Sequence, residues 1–107
     1  MTIKDTKNKL DECLIYKFKI ESLQNELKNA TSELKPKIQH EIDDLTEKVM
    51  DIRCKIDSLD NPNVKLVMRF RFINGMSFKD IATKLNMSYQ WINKLYNHGL
   101  EDLSKIL

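Results

Sequence analysis

Hydrophobic positions in the first half of the chain recur at alternating steps of three and four. Cys13, Tyr16, Ile20, Leu23, Leu27, Ala30 and Leu34 form one series. Ile38, Ile42, Leu45, Val49, Ile52, Ile56 and Leu59 form a second. Such spacing lines one face of a helix with an apolar seam. Between the two series the phase slips, at Asn29-Ala30-Thr31-Ser32 and Pro36, which breaks any continuous seam. Asn29 suits the left-handed conformation that ends a helix. Thr31 or Ser32 can cap the next helix, with Pro36 in or near its first turn, where a missing N–H costs least. Two arrangements fit this pattern. An antiparallel hairpin with its tip near residues 29–36 buries much of the seam internally. One long helix kinked at Pro36 needs a partner chain. The hairpin is the favoured reading, and either form leaves room for a homodimer through residues 1–60.

Asp60-Asn61-Pro62 closes this region, and shorter helices follow. Residues 63–74 predict one, with Val64, Val67, Met68 and Phe72 apolar and Gly75 at the end where a left-handed residue is wanted. Ser77 caps a second, with Asp80 in its first turn. Phe78, Ile81, Ala82 and Leu85 then make one apolar stripe. Asn86-Met87 is a turn, and Ser88 caps a last helix that runs to about residue 106. Two short helices joined by a three-residue turn describe a helix-turn-helix. Ala82 stands where the two helices cross, and Asn86 takes the turn position usually given to glycine. The predicted fold is therefore all-α: a helical hairpin over residues 1–60, then a helix-turn-helix over residues 61–107.

Composition supports this and narrows the chemistry. With only two glycines and two prolines in 107 residues, a turn-rich β fold is excluded, as is a glycine-rich phosphate loop. No apolar run is long enough to span a membrane, and no signal peptide is visible after the first residues. Two cysteines with no pairing pattern point to a reducing, cytoplasmic setting. Cys13, Cys54, His40 and His98 lack metal-ligand spacing, so neither a metal nor a cofactor is expected. Asp43, Asp44 and Glu47 fall on a charged helix face, and no nucleophile and base are grouped. No enzyme is expected.

The net charge of +2 conceals an asymmetry. Residues 1–60 carry eleven basic and thirteen acidic side chains, whereas residues 61–100 carry six basic against one acidic. The second half is the candidate for meeting a polyanion. On its last helix Ile92, Leu95, Tyr96 and Gly99 face the core. Tyr89, Gln90, Asn93, Lys94 and Asn97 point away, with no acidic residue before Glu101. Trp91 lies on the border between the faces, either at the core edge or toward a ligand. Asn and Gln pair bidentately with adenine in the major groove, and Lys takes guanine or phosphate. Lys79 and Lys84 flank the preceding helix, where phosphate contacts are expected. These residues point to duplex DNA. A solvated face, or a surface for another protein, is the competing reading.

The stretch Phe70-Arg71-Phe72-Ile73-Asn74-Gly75-Met76-Ser77-Phe78-Lys79-Asp80-Ile81-Ala82 resembles a signature of sigma factor region 4, leucine-arginine-tyrosine-x-x-glycine-x-serine-x-x-glutamate-isoleucine-alanine. Ser88-Tyr89-Gln90-Trp91-Ile92-Asn93-Lys94-Leu95, with Leu100 and Leu103, resembles that family's recognition helix and tail. With the Glu- and Lys-rich helical segment before it, the whole chain is similar to small phage-encoded regulators related to ArpU and RinA, associated with control of late phage gene transcription. The resemblance implies DNA binding in a bacterial host cell and engagement of RNA polymerase. It implies docking without promoter opening, since a melting region has no place beside the hairpin. By charge Arg71 either pairs with Asp80 to brace two helices or contacts phosphate, and the family position favours the brace. The chain departs from the family in three places: the loop between the N-terminal helices is short, one Lys stands where several Arg are common, and Gly99 stands where a small alanine is usual. A protein-interaction module that binds RNA polymerase or another regulator without touching DNA remains the alternative.

Overall fold

A computed structural model describes residues 1–107 as five helices: α1 (Ile3–Lys28), α2 (Lys35–Asp57), α3 (Pro62–Phe72), α4 (Phe78–Leu85) and α5 (Tyr89–Ser104). α1 begins at Thr2, whose hydroxyl accepts the Asp5 N–H at 3.1 Å. Asp5 adds a carboxylate at the positive end of the helix. α1 and α2 form the hairpin, and their contacts run in opposite chain directions. The Lys48 ammonium lies 5.2 Å from the Tyr16 ring, while Leu27 and Lys28 share a groove with Lys35 and Pro36 at the tip. The kinked single helix is not formed.

The connection between them differs from the expected one. Asn29 ends α1 at φ −112°, ψ 6°, outside the left-handed region, with its N–H bonded to the Glu26 and Leu27 carbonyls. No side chain caps α2. The Thr31 carbonyl instead accepts the Leu34 and Lys35 N–H groups at 3.1 and 3.0 Å. The chain turns with right-handed dihedrals at Leu34, so neither Thr31 nor Ser32 occupies the extended N-cap from which a hydroxyl reaches the free amides. Pro36 does sit in the first turn, as its absent N–H favours. Leu34, counted in the apolar series, is exposed at this corner.

Side chains from both sides of position 60 build one hydrophobic cluster. Leu10 and Cys13 of α1 and Ile52, Ile56 and Leu59 join Val64, Val67, Met68 and Phe72 of α3. Ile81 of α4 and Ile92, Leu95, Tyr96, Leu100 and Leu103 of α5 complete it. Each fully buried Leu or Ile contributes about 1.5–3 kcal/mol, so the base of the hairpin is fastened to the helical unit beside it. Thr6 and Leu10 lie N-terminal to the predicted seam and are fully buried. Thr6 satisfies its hydroxyl on the Thr2 carbonyl at 2.8 Å. Toward the tip the hairpin is thinner, with Ile38 and Ile42 buried and Leu23, Leu27 and Leu45 half-buried.

Two polar links fasten the hairpin to α3. The Lys17 ammonium donates to the Ile73 carbonyl at the C-terminal end of α3, where a cation is favoured. Arg69 donates to the Asp57 carboxylate at 2.9 Å. No helix is long and apolar enough to cross a membrane.

Candidate nucleic-acid interface

Local chemistry sets the path from α3 to α5. α3 starts at Asn61, whose side-chain oxygen accepts the Asn63 and Val64 N–H groups, with Pro62 at its first position. It ends before Gly75, which has φ +69°, a conformation open to glycine at little cost. Ser77 caps α4 by accepting the Asp80 N–H at 3.1 Å. Asn86 closes α4 in the left-handed conformation, φ 53°, ψ 46°, and is the one non-glycine residue at positive φ. The Met87 N–H then bonds to the Ala82 carbonyl, and Ser88 caps α5 by accepting the Trp91 N–H at 3.1 Å. Each signal expected from the sequence at this turn is present in the geometry.

An aromatic set packs across the corner. Phe78, the first residue of α4, meets the Tyr96 ring edge-on at 4.8 Å and the Tyr89 ring at 6.3 Å. Phe72 lies 6.0 Å from Tyr96 on the other side. Burial pushes the Tyr96 phenol above its ordinary pKa, and nearby Asp11 adds to this, while Arg71 opposes it.

Arg71 braces the corner with partners other than Asp80. Its guanidinium donates to the Met76 carbonyl at 3.0 Å and stacks 5.1 Å from the Phe78 ring centre, while its Nε is buried without a partner. No Arg71–Asp80 pair is formed. The reason is local: α3 ends so close to the Gly75 turn that the guanidinium reaches the loop carbonyl and the Phe78 face first. Asp80 stays exposed at the positive end of α4.

The outer residues of α5 emerge as one surface. Ile92, Leu95, Tyr96 and Gly99 are buried, while Tyr89, Gln90, Lys94 and Asn97 are exposed and Asn93 is half-buried. Lys79 and Lys84 are exposed on α4, and the Lys84 ammonium lies 5.4 Å from the Phe70 ring. His98 sits 3.3 Å from Asp102, one turn further along α5. Trp91, placed by sequence on the border, is 44% exposed and lies outside the core cluster. The helical position about 100° from Ile92 could not decide this, because Asn93 stands at the same angle on the other side. The Lys17 link was equally out of reach, since its partner is a main-chain carbonyl 56 residues away.

A family model described as "Protein of unknown function (DUF1492)" matches residues 30–104, the hairpin tip through the last residue of α5. No curated protein matches the chain, and no solved structure does.

Proposed function

Because the chain belongs to the DUF1492 family, whose description assigns no activity, we propose from its geometry that it is a sequence-specific DNA-binding transcription regulator docking α5 in the major groove; a phage or prophage origin is what the resemblance to the ArpU- and RinA-related regulators implies. One observation carries this reading. The capped α4–Asn86–α5 corner leaves Tyr89, Gln90, Asn93, Lys94 and Asn97 on one face, with no carboxylate until Glu101. Major-groove readout requires amide and ammonium groups on the open side of a helix whose other side is anchored. Lys79 and Lys84 supply cations beside it for phosphate contacts. The +5 balance of residues 61–100 favours approach to a polyanion, while the hairpin carries the acidic excess. Recruitment or repositioning of RNA polymerase follows from the resemblance to sigma region 4. Arg71 has a scaffold role in this reading, holding the α3–α4 corner.

The test is a gel-shift titration with random-sequence duplex over a salt series, followed by selection of the bound sequences. Neutralising several phosphates makes log K fall steeply and linearly with log salt. Absence of duplex binding, together with salt-insensitive association with polymerase, overturns the proposal in favour of a protein-interaction module.

A further inference from the structure

Two exposed aromatic side chains occupy the first turn of α5, on either side of Gln90. Helical geometry puts Tyr89 and Trp91 on opposite flanks, about 60° and 100° from the core-facing Ile92, with Gln90 and Lys94 roughly opposite the core. Tyr89 is anchored by its edge-on contact with Phe78 at 6.3 Å. Trp91 has no such anchor. It belongs neither to the buried cluster nor to the half-buried side chains packed on it, and 44% of it meets solvent. Its charged neighbour is the Lys94 ammonium, 5.7 Å from the ring centre. An indole left in water gives up the burial that aromatic side chains ordinarily gain, while its N–H remains a donor.

Resting on the DNA-binding reading above, we propose that Trp91 is a further DNA-contact residue, set against the sugar–phosphate wall of the major groove. The groove is about 12 Å wide and a helix with its side chains is about 10–12 Å across. The side of α5 opposite the core therefore faces base edges, and its flanks face the two strands. From its flank the ring covers a deoxyribose, and the indole N–H donates to a phosphate oxygen, a hydrogen bond strengthened by the anion's charge. Lys94 starts opposite the core, but cation–π attraction draws its long side chain over the Trp91 ring, so its ammonium reaches toward the same strand. Contacts to the wall position the protein and carry no sequence information.

Trp91 is the only tryptophan, so its fluorescence reports the surroundings of this side chain alone. The experiment titrates the full chain with its selected duplex and with a scrambled duplex, reading fluorescence and gel shift together. Trp91→Ala and Trp91→Phe are measured alongside, with circular dichroism to verify helix content. The expected result is a fluorescence change that saturates with the gel shift. Trp91→Ala then weakens both duplexes equally, by about tenfold, and Trp91→Phe less. Binding that leaves the fluorescence or the Trp91→Ala affinity unchanged overturns the Trp91 contact while the DNA-binding reading stands. A loss confined to the selected duplex overturns the wall assignment in favour of base readout. Failure of the wild-type chain to bind either duplex overturns both.

Discussion

Gly99 is bare because Met68 stands where its side chain would be. A Cβ built on Gly99 lies 2.6 Å from the Met68 sulfur and 2.7 Å from its Cγ, closer than real Cβ atoms approach. Met68 is fully buried in α3, so its thioether must repack within the core to admit a side chain there. Glycine within a helix costs about 1 kcal/mol relative to alanine. α5 accepts that cost so that it can lie closely against α3.

Gly99→Ala should therefore destabilise the protein despite its better helix propensity. Overpacking of this kind costs about 1–3 kcal/mol. A urea titration reads it, and Met68→Ala in the same chain provides the control. Met68→Ala alone opens a cavity and costs about 2–5 kcal/mol. In the double variant the new methyl enters that cavity, so the combined loss should be smaller than the sum of the single losses. Strictly additive losses would show that the contact does not govern position 99.

Asn86 bears on a different joint. At φ 53° a β-branched side chain is strained, whereas glycine is at ease. Asn86→Val should cost about 1–2 kcal/mol, and Asn86→Gly should be close to neutral. If the α4–α5 angle presents the reading face, Asn86→Val also weakens duplex binding beyond what its unfolded fraction accounts for. Thermal unfolding and gel shift on the same preparations separate the two effects.

The two thiols differ in access. Cys13 is fully buried and burial pushes its pKa up, with Lys17 opposing, while Cys54 is exposed on α2. An alkylating reagent on the native chain should modify Cys54 first and Cys13 only as the core opens. Cys13 and Tyr96 also set a pH limit. Both are held above their ordinary values of 9.0 and 10.0, so the folded state retains protons that the unfolded chain releases. Their contribution is complete below pH 9 and is lost as pH rises through that value and beyond. The urea midpoint should fall above pH 9, and Tyr96→Phe should flatten the upper part of the decline.

Much of this architecture was readable from local chemistry. Ser77, Gly75, Asn86 and Ser88 each act on amides or dihedrals within a few residues, so the turns between α3 and α5 followed from their positions. The alternating seams favoured the hairpin and left a kinked helix with a partner chain as the alternative. Features set by distant partners could not be read this way. Leu10 looks like an ordinary helix residue until Val64 and Leu103 share its cluster. Arg71 invited pairing with Asp80 by charge, but a main-chain carbonyl and an aromatic face stood nearer. The start of α2 is closed by the Thr31 carbonyl, which every residue type possesses and no sequence pattern marks.

The outer face of α5 gives the sharpest test of the DNA reading, because its residues fail in different ways. On that reading Lys94 meets phosphate, and Lys94→Ala removes the contact. It should weaken selected and scrambled duplexes alike and reduce the slope of log K against log salt by about one. Gln90→Ala and Asn93→Ala remove the amides that the same reading directs at base edges. Each should relax discrimination at one or two base pairs, by about 1–3 kcal/mol, with little effect on scrambled duplex. Gln90 is exposed and Asn93 half-buried, so Asn93→Ala is also measured for stability. Competition binding against single-base variants of a selected site resolves these patterns. If all three substitutions leave both affinity and discrimination unchanged, α5 is not the reading element, and the exposed amide face serves a protein partner instead.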